Sequence, residues 1–259
     1  MRAVRVGKAS SKTNWIIARV RATSCRICCA KIHRTKLAKG LSPMQPSAVV
    51  ILAGGQSSRM GQPKALLPLP DGKTVLDHHL CHAQVLGCPV LLADNGKNFS
   101  KQSSVQTISD HLPSDTDGKG AGALSAICGA MKYVMKNPTT ADGYLLIISC
   151  DSLIKADRLF VHLQDKLSQT SVNNDEQNDT HALPYDVIYL KDHKDYPLLG
   201  LYHTRLLPSL MAYLDAGERS VMRFLADQRT ATVTVPSAWR QLVNFNTLQD
   251  FHLALQAYH

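Results

Sequence analysis

The chain has 259 residues with 44% hydrophobic and 6% aromatic content, a composition typical of a soluble globular protein with a sizeable core. No run reaches the roughly 18 apolar residues that a membrane-spanning helix needs, so we expect no membrane partner. The net charge of +9 comes from residues 1–43, which hold eleven Lys and Arg and no acidic residue, whereas the other residues hold 18 basic and 20 acidic side chains. The isoelectric point therefore does not indicate nucleic-acid binding by the remainder of the chain.

The basic segment of residues 1–43 is predicted to lie outside the folded domain. Met44 is followed almost directly by the first apolar strand, so a chain starting there would begin where the fold begins. We expect residues 1–43 to be disordered or not native, and residues 44–259 to form a single domain. An organellar transit peptide and a phosphate-binding arm remain alternatives. A zinc site is disfavoured, because the adjacent Cys28 and Cys29 fit a tetrahedron poorly.

The seven cysteines have no regular spacing and do not predict a disulfide framework. We expect reduced thiols in the core, because four cysteines lie among apolar residues: Cys81, Cys88, Cys128 and Cys150. This usage indicates a reducing, cytoplasmic location.

The first element is an apolar strand at residues 48–53, which ends at the consecutive glycines Gly54 and Gly55. A small polar loop follows, with Arg59 in it and Lys64 at its end. Glycines at a strand exit let backbone N–H groups approach an anion, and the two cations add positive charge. The unit is predicted to bind a polyphosphate, although its spacing matches neither a Walker loop nor a dinucleotide fingerprint. The alternative is a tight turn with a solvated basic loop.

Strands and helices alternate along the rest of the chain. Helices are predicted at residues 75–86, 121–135, 155–167 and 204–216, in a short stretch ending at 225, and from 247 onward. Strands are predicted at residues 89–93, 105–109, 144–149, 185–190, 198–202, 230–235 and 242–246. Thr74 with Asp77, and Thr247 with Asp250, have the spacing of capping boxes. The polar residues 168–182 are predicted to form a surface loop.

This order predicts an α/β fold, a three-layer α/β/α sandwich with a mostly parallel, Rossmann-like nucleotide-binding sheet. In such sheets, ligands bind beyond the carboxyl ends of the strands. Four polar candidates follow strands at that edge: the loop ending at Lys64, Asn95, Asp110 and Asp151. We therefore expect them to converge on one site.

Asp151 is the predicted magnesium ligand. Mg²⁺ takes one or two carboxylates together with phosphate oxygens and water, so a carboxylate facing a basic glycine-rich loop suits a Mg-nucleoside triphosphate. The alternative is that Asp151 caps the following helix. The implied chemistry is nucleotidyl transfer, with Arg59 and Lys64 offsetting phosphate charge. No general base is needed, because an attacking phosphate is already an anion.

Three histidines of the first helix, His78, His79 and His82, are predicted to form a polar face rather than a metal site. Only His78 and His82 are four residues apart, and no carboxylate partner is evident from the sequence.

Several motifs resemble those of the molybdenum cofactor guanylyltransferases. In chain order they are LAGGQSSRMGQPK (52–64), Asp110 with the glycine-rich residues 118–122, SCDSL (149–153), YPLLGLYH (196–203), YLDAGERSVMRFL (213–225) and VNFNTLQDF (243–251). The resemblance extends from about residue 48 to the end of the chain. It implies a fold of the nucleotide-diphospho-sugar transferase type.

The resemblance also implies a function, the transfer of GMP from GTP to the terminal phosphate of molybdenum-molybdopterin, with Mg²⁺ at Asp151 and catalytic roles for Arg59, Lys64 and Asp151. The implied nucleotide-binding residues are Leu52, Ala53, Gly54, Gly55, Lys64, Asn95, Asp110, Gly118, Gly122 and Asp151. Those implied near the molybdopterin are Arg219, Asn244 and Asn246. The implied partners are GTP, the molybdenum cofactor, and molybdoenzyme clients or other proteins of cofactor synthesis.

Two departures from the family pattern leave the base specificity open. Pro63 precedes Lys64 where the family often has Asp, and the usual Gly-Pro-Leu-Ala-Gly turn reads GKGAG at 118–122. Cytidylyl transfer to the same cofactor, or nucleotidyl transfer to a sugar or polyol phosphate, is therefore an alternative. Outside enzymes, the chain could carry the cofactor to an apoenzyme, or bind nucleic acid through residues 1–43.

Overall fold

The computed structural model describes residues 45–55, 60–112, 121–172 and 185–258. These residues belong to one compact unit, which spans Ala38–His259. The predicted basic segment 1–43 and most of the predicted loop 168–182 lie outside the described residues. Within the described ranges, no helix is both long enough and apolar enough to cross a membrane.

Among the described residues, seven strands form one sheet: β1 (Ala48–Leu52), β2 (Val90–Ala93), β3 (Val105–Thr107), β4 (Tyr144–Ser149), β5 (Val187–Lys191), β6 (Asp195–His203) and β7 (Thr230–Thr234). Their order across the sheet is β3-β2-β1-β4-β6-β5-β7. Neighbouring strands are parallel except at β6, which runs antiparallel to β4 and β5. The mostly parallel sheet predicted from the sequence is confirmed.

Six α-helices connect and cover these strands in the part of the chain that the structure describes: α1 (Val75–Gln84), α2 (Ala123–Val134), α3 (Ala156–Val172), α4 (Leu207–Asp215), α5 (Val221–Ala226) and α6 (Leu248–Gln256). Short 3-10 turns occur at Lys64–Leu66, Thr204–Leu206 and Ser237–Trp239. Both predicted capping boxes are present, at Thr74 with Asp77 and at Thr247 with Asp250, because they depend only on local spacing.

Helices cover the sheet on both faces, which gives the predicted three-layer sandwich. Alternate residues of β1 illustrate this, since Val49 and Ile51 belong to one core cluster and Val50 to the other. The first cluster includes buried side chains of α1, α3 and α6, and the second includes those of α2, α4 and α5. Strands buried on both faces explain the near-continuous apolar runs in the sequence.

The structure differs most from the predicted elements at three places. Residues 242–246 do not form a strand; their backbone instead pairs with the loop after β4, through Phe245 N to Asp151 O at 2.8 Å and Leu153 N to Leu242 O at 2.9 Å. Helix α3 continues to Val172 rather than ending at residue 167. Strand β6 begins at Asp195 and is longer than predicted, because only residues 192–194 are needed to turn the chain from β5.

Candidate functional site

A cavity of about 430 Å³ lies at the carboxyl ends of β1, β2 and β4. Nine residues of the predicted nucleotide-binding set line it: Leu52, Ala53, Gly54, Gly55, Lys64, Asn95, Asp110, Gly122 and Asp151. The predicted site residues Arg59 and Gly118 lie outside the described residues. The structure therefore brings together residues that are far apart in the sequence, as the position of strand ends in a parallel sheet predicts. Their roles in binding a ligand remain a prediction.

The exit of β1 packs closely against Asn95. The Asn95 side chain donates from Nδ2 to the Gly54 carbonyl oxygen at 3.3 Å, and Asn95 itself adopts a left-handed backbone with φ of 54°. A Cβ atom added to Gly54 would lie 2.8 Å from Asn95 Cγ and Oδ1. A side chain at position 54 would therefore push the Asn95 amide away from the place it occupies here.

Gly54→Ala is expected to lower kcat/KM for a substrate bound in this cavity by roughly tenfold, since the new methyl group displaces the Asn95 amide from the cavity wall. Gly55→Ala is the steric comparison, because a Cβ there meets no described atom within 4 Å. We expect thermal unfolding of Gly55→Ala to match the wild type and that of Gly54→Ala to occur at a lower temperature. Equal melting temperatures for the two variants would contradict the close contact.

Asp110 is held where its carboxylate is poorly solvated. Backbone N–H groups of the two following residues donate to Ser125, from His111 to its carbonyl oxygen at 3.0 Å and from Leu112 to its hydroxyl at 2.9 Å. Asp110 Oδ1 is buried and has no hydrogen-bond partner among the described residues. Burial raises the pKa of Asp110 to about 6. An unsatisfied carboxylate oxygen facing a cavity can accept hydrogen bonds from a ligand.

Asp110→Asn is expected to raise the free energy of unfolding by about 1 kcal/mol at pH 8. Because the folded-state pKa lies above the unfolded value, the folded protein binds more protons between about pH 4 and pH 6, and stability is lost as the pH rises through 6. The stabilisation should therefore be smaller at pH 5. Urea unfolding at both pH values measures it, with Asp165→Asn, an exposed carboxylate of α3, as control. A variant less stable than wild type at pH 8 would contradict the unfavourable burial.

Asp151 lies between Ser149 and Lys64 at the end of β4. The Ser149 hydroxyl donates a short hydrogen bond to Asp151 Oδ1, and Lys64 Nζ lies 3.8 Å from Asp151 Oδ2. Helix α3 begins only at Ala156, so Asp151 is too far from its first turn to cap it. The geometry thus leaves the carboxylate facing the cavity. Ser149 was not among the predicted site residues, although its position two residues before Asp151 could have indicated a contact between the two side chains.

Two histidines of α1 hold the loop that follows Asp151, and the predicted polar face is wrong. His79 Nε2 hydrogen-bonds the Ser152 carbonyl oxygen at 2.8 Å, and His78 Nε2 hydrogen-bonds that of Leu153 at 3.1 Å. Burial lowers the pKa of His78 to about 2 and that of His79 to about 4, so both imidazoles are neutral and donate from Nε2. They are 2% and 0% exposed. These histidines support the loop from within the core.

His82 has the carboxylate partner that the sequence did not reveal. Its Nδ1 lies 3.1 Å from Asp157 Oδ1 at the start of α3. Among the described side chains, no group of three or more His, Cys, Asp or Glu could hold a metal.

The three residues that the family resemblance places near the molybdopterin occupy different places in the structure. Asn246 Oδ1 accepts a hydrogen bond from Lys64 Nζ at 3.1 Å. Asn244 Oδ1 is buried and lacks a hydrogen-bond partner among the described residues. Arg219 does not line the cavity; its guanidinium donates to the carbonyl oxygens of Leu214 at 2.7 Å and Glu218 at 2.6 Å. The structure therefore brings Asn246 to the cavity lysine but does not bring Arg219 to the cavity.

The sequence profile of the MobA-like NTP transferase domain matches residues 49–232. A Mycobacterium bovis protein named probable molybdenum cofactor guanylyltransferase is 30% identical over 212 residues, which are 82% of this chain and 94% of that protein. The Vibrio cholerae molybdenum cofactor guanylyltransferase is 29% identical over 215 residues, covering 81% and 93% of the two chains.

Solved structures show the same fold at low sequence identity. Molybdopterin-guanine dinucleotide biosynthesis protein A from Archaeoglobus fulgidus has a TM-score of 0.58 and 17% identity, with 81% of this chain and 97% of that chain covered. The 2-C-methyl-D-erythritol 4-phosphate cytidylyltransferase from Thermus thermophilus has a TM-score of 0.52 and 12% identity, with 82% and 98% covered.

Proposed function

The chain belongs to the MobA-like NTP transferase family and is a nucleotidyltransferase, and from this premise we propose that it transfers GMP from GTP to the terminal phosphate of molybdenum-molybdopterin. The products would be pyrophosphate and the guanine dinucleotide form of the cofactor. The observation that carries this proposal is the cavity lined by the strand-end residues Gly54, Asn95, Asp110 and Asp151 together with Lys64.

The cavity offers distinct chemistry to the two ends of a nucleoside triphosphate. The backbone of Gly54 and Gly55 can approach phosphate oxygens closely, and the Lys64 ammonium adds a positive charge. Asp110 and the Asn95 side chain supply polar contacts elsewhere on the wall. We assign the phosphates to the Lys64 side of the cavity on these grounds.

The acidic side chains of the cavity fit Mg²⁺. Asp110 and Asp151 provide hard carboxylate oxygens, and Mg²⁺ is bound by one or two carboxylates plus substrate phosphates in comparable sites. Asp151 is the proposed ligand, since Ser149 orients it towards the cavity and Lys64 lies on its other side. When bound, the ion would neutralise charge on the α- and leaving phosphates.

The proposed reaction forms a bond between an acceptor phosphate oxygen and the α-phosphorus of GTP, while the bond from that phosphorus to the bridging oxygen of the β-phosphate breaks. The electron pair leaves with pyrophosphate, and no proton has to be removed from the nucleophile. Lys64 would offset the charge of the transition state. Cys150 also lines the cavity, but burial raises the pKa of its thiol far above neutrality, so it is not a nucleophile.

The acceptor is proposed to bind beside Lys64, where residues 242–247 adjoin the cavity. Asn246 contacts Lys64, and Asn244 has an unsatisfied buried oxygen. The acceptor role that the family resemblance implies for Arg219 is not part of this proposal, because Arg219 does not line the cavity. The four described cysteines, Cys81, Cys88, Cys128 and Cys150, carry free thiols, which supports the proposed cytoplasmic location.

Pyrophosphate release from GTP, CTP and ATP, measured with Mg²⁺ and molybdopterin, tests the proposal. We expect release from GTP at least tenfold faster than from CTP or ATP. Release from CTP instead would assign cytidylyl transfer to the same site. No release from any triphosphate, with molybdopterin shown to bind, would refute nucleotidyl transfer to this acceptor and favour a carrier protein.

A further inference from the structure

The cavity lysine is held by a segment that lies far away in the sequence. Lys64 Nζ donates to the Phe245 carbonyl oxygen at 2.7 Å and to Asn246 Oδ1 at 3.1 Å. It also lies 5.6 Å from the centroid of the Phe245 ring, within the range of a cation–π contact. The segment that we propose lies beside the acceptor therefore contacts Lys64, the residue that we propose binds the triphosphate.

The segment that holds Lys64 is itself firmly anchored. Phe245 is fully buried, and its ring centroid lies 5.0 Å from that of Phe251 on α6. Its backbone N–H donates to the Asp151 carbonyl oxygen at 2.8 Å. The Phe245 carbonyl oxygen consequently has a fixed position relative to Asp151. A lysine has several rotatable bonds, so fixing its ammonium in advance lowers the entropic cost of ligand binding.

The Asn246 side chain is not required for the fold around it. The residue is exposed, and its contribution to the start of α6 comes from its backbone N–H, which donates to Asp250 Oδ2 at 3.0 Å. The capping box itself uses Thr247 and Asp250. Removing the Asn246 amide should therefore change the contact with Lys64 without changing the helix.

The two described hydrogen-bond acceptors of the ammonium are neutral. The Phe245 carbonyl and the Asn246 amide orient Lys64 without cancelling its charge, whereas the Asp151 carboxylate is farther away, at 3.8 Å. An ammonium oriented by neutral oxygens keeps its attraction for phosphate. The ion pair with Asp151 is the longest of the three contacts, so the two neutral oxygens fix the ammonium more closely than the carboxylate does.

We propose that Asn246 is a positioning residue for Lys64, and that it strengthens triphosphate binding before any acceptor is present. This inference rests on the proposed function, since it takes the ligand of Lys64 to be a nucleoside triphosphate. It assigns Asn246 a role on the nucleotide side in addition to the acceptor-side role that the family resemblance implies.

A double-mutant cycle without acceptor tests the inference. Calorimetry would measure binding of Mg²⁺ with guanosine 5′-(α,β-methylene)triphosphate, whose α–β bridge resists cleavage, to wild type, Asn246→Ala, Lys64→Met and the double variant. Guanosine serves as the ligand without phosphates. Gln249→Ala, an exposed side chain of α6, is the control variant, and thermal unfolding checks that each protein is folded.

We expect Asn246→Ala to weaken binding of the triphosphate roughly three- to tenfold, to leave guanosine binding unchanged, and to have no further effect when Lys64 is already Met. Asn246→Asp should also weaken triphosphate binding, because it keeps the oxygen but offsets the lysine charge. Unchanged triphosphate affinity in Asn246→Ala, or an equal loss in the Lys64→Met background, would overturn the positioning role. Failure of the wild type to bind the analogue would overturn the proposed function as well.

Discussion

Asp151→Asn is expected to lower kcat for the proposed GMP transfer by roughly 10³-fold, the largest single effect in the site. The substitution keeps the size of the side chain and an oxygen that can accept the hydrogen bond from Ser149 Oγ. It removes the negative charge that Mg²⁺ binding requires and leaves Lys64, at 3.8 Å, facing a neutral amide. Rates of pyrophosphate release at saturating GTP and molybdopterin measure the effect.

Two comparisons make the Asp151→Asn result specific. Asp165→Asn removes an exposed carboxylate from α3 and should retain the wild-type rate. Binding of Mn²⁺ with GTP, followed by electron paramagnetic resonance, should weaken in Asp151→Asn but not in Asp165→Asn. A rate for Asp151→Asn within a few-fold of the wild type would remove Asp151 from the reaction.

Lys64→Met is expected to lower kcat by on the order of 10²-fold and to raise KM for GTP, because it removes the described cation that lines the cavity. The Met side chain retains most of the aliphatic length, which limits the change in packing. Lys64→Arg should recover only part of the loss, since a planar guanidinium cannot donate to Phe245 O and Asn246 Oδ1 in the same geometry.

Lys136→Met provides the matched control for charge, because this lysine is exposed just after α2. It should leave both kinetic constants unchanged. Steady-state kinetics over a range of GTP concentrations separates the two effects of Lys64. A variant at position 64 with wild-type kcat and only a raised KM would show that the lysine binds the substrate without stabilising the transition state.

The convergence of the site was predictable because it follows from a general property of parallel sheets. Gly54, Asn95 and Asp151 each come after a buried apolar run, and Asp110 follows the partly exposed strand β3, which is parallel to β2. The carboxyl ends of such parallel strands lie at one edge of the sheet. The capping boxes at Thr74 and Thr247 were predictable for a different reason, since their partners lie three residues away. Features that depend on local spacing or on strand direction can be read from one sequence.

The histidines and residues 242–246 were not predictable from spacing. His78 and His79 occupy positions that would suit a solvated helix face, but the loop at residues 152–153 covers them and supplies carbonyl acceptors. Residues 242–246 have the apolar alternation of a strand, yet they pair with an irregular loop instead of a sheet edge. In both cases the deciding partner comes from a distant part of the chain.

The contacts around Lys64 also bear on the order in which the site can form during synthesis. Lys64 and Phe245 are 181 positions apart in the sequence. His78 and Tyr258 are 180 positions apart, and His78 Nδ1 lies 3.1 Å from the Tyr258 hydroxyl oxygen. A ribosome releases β1 to β4 long before residues 242–258, so the sheet can begin to fold while these partners are missing. Contacts of such high sequence separation close late. A nascent chain would therefore gain the sheet edge that lines the cavity first and its oriented lysine last.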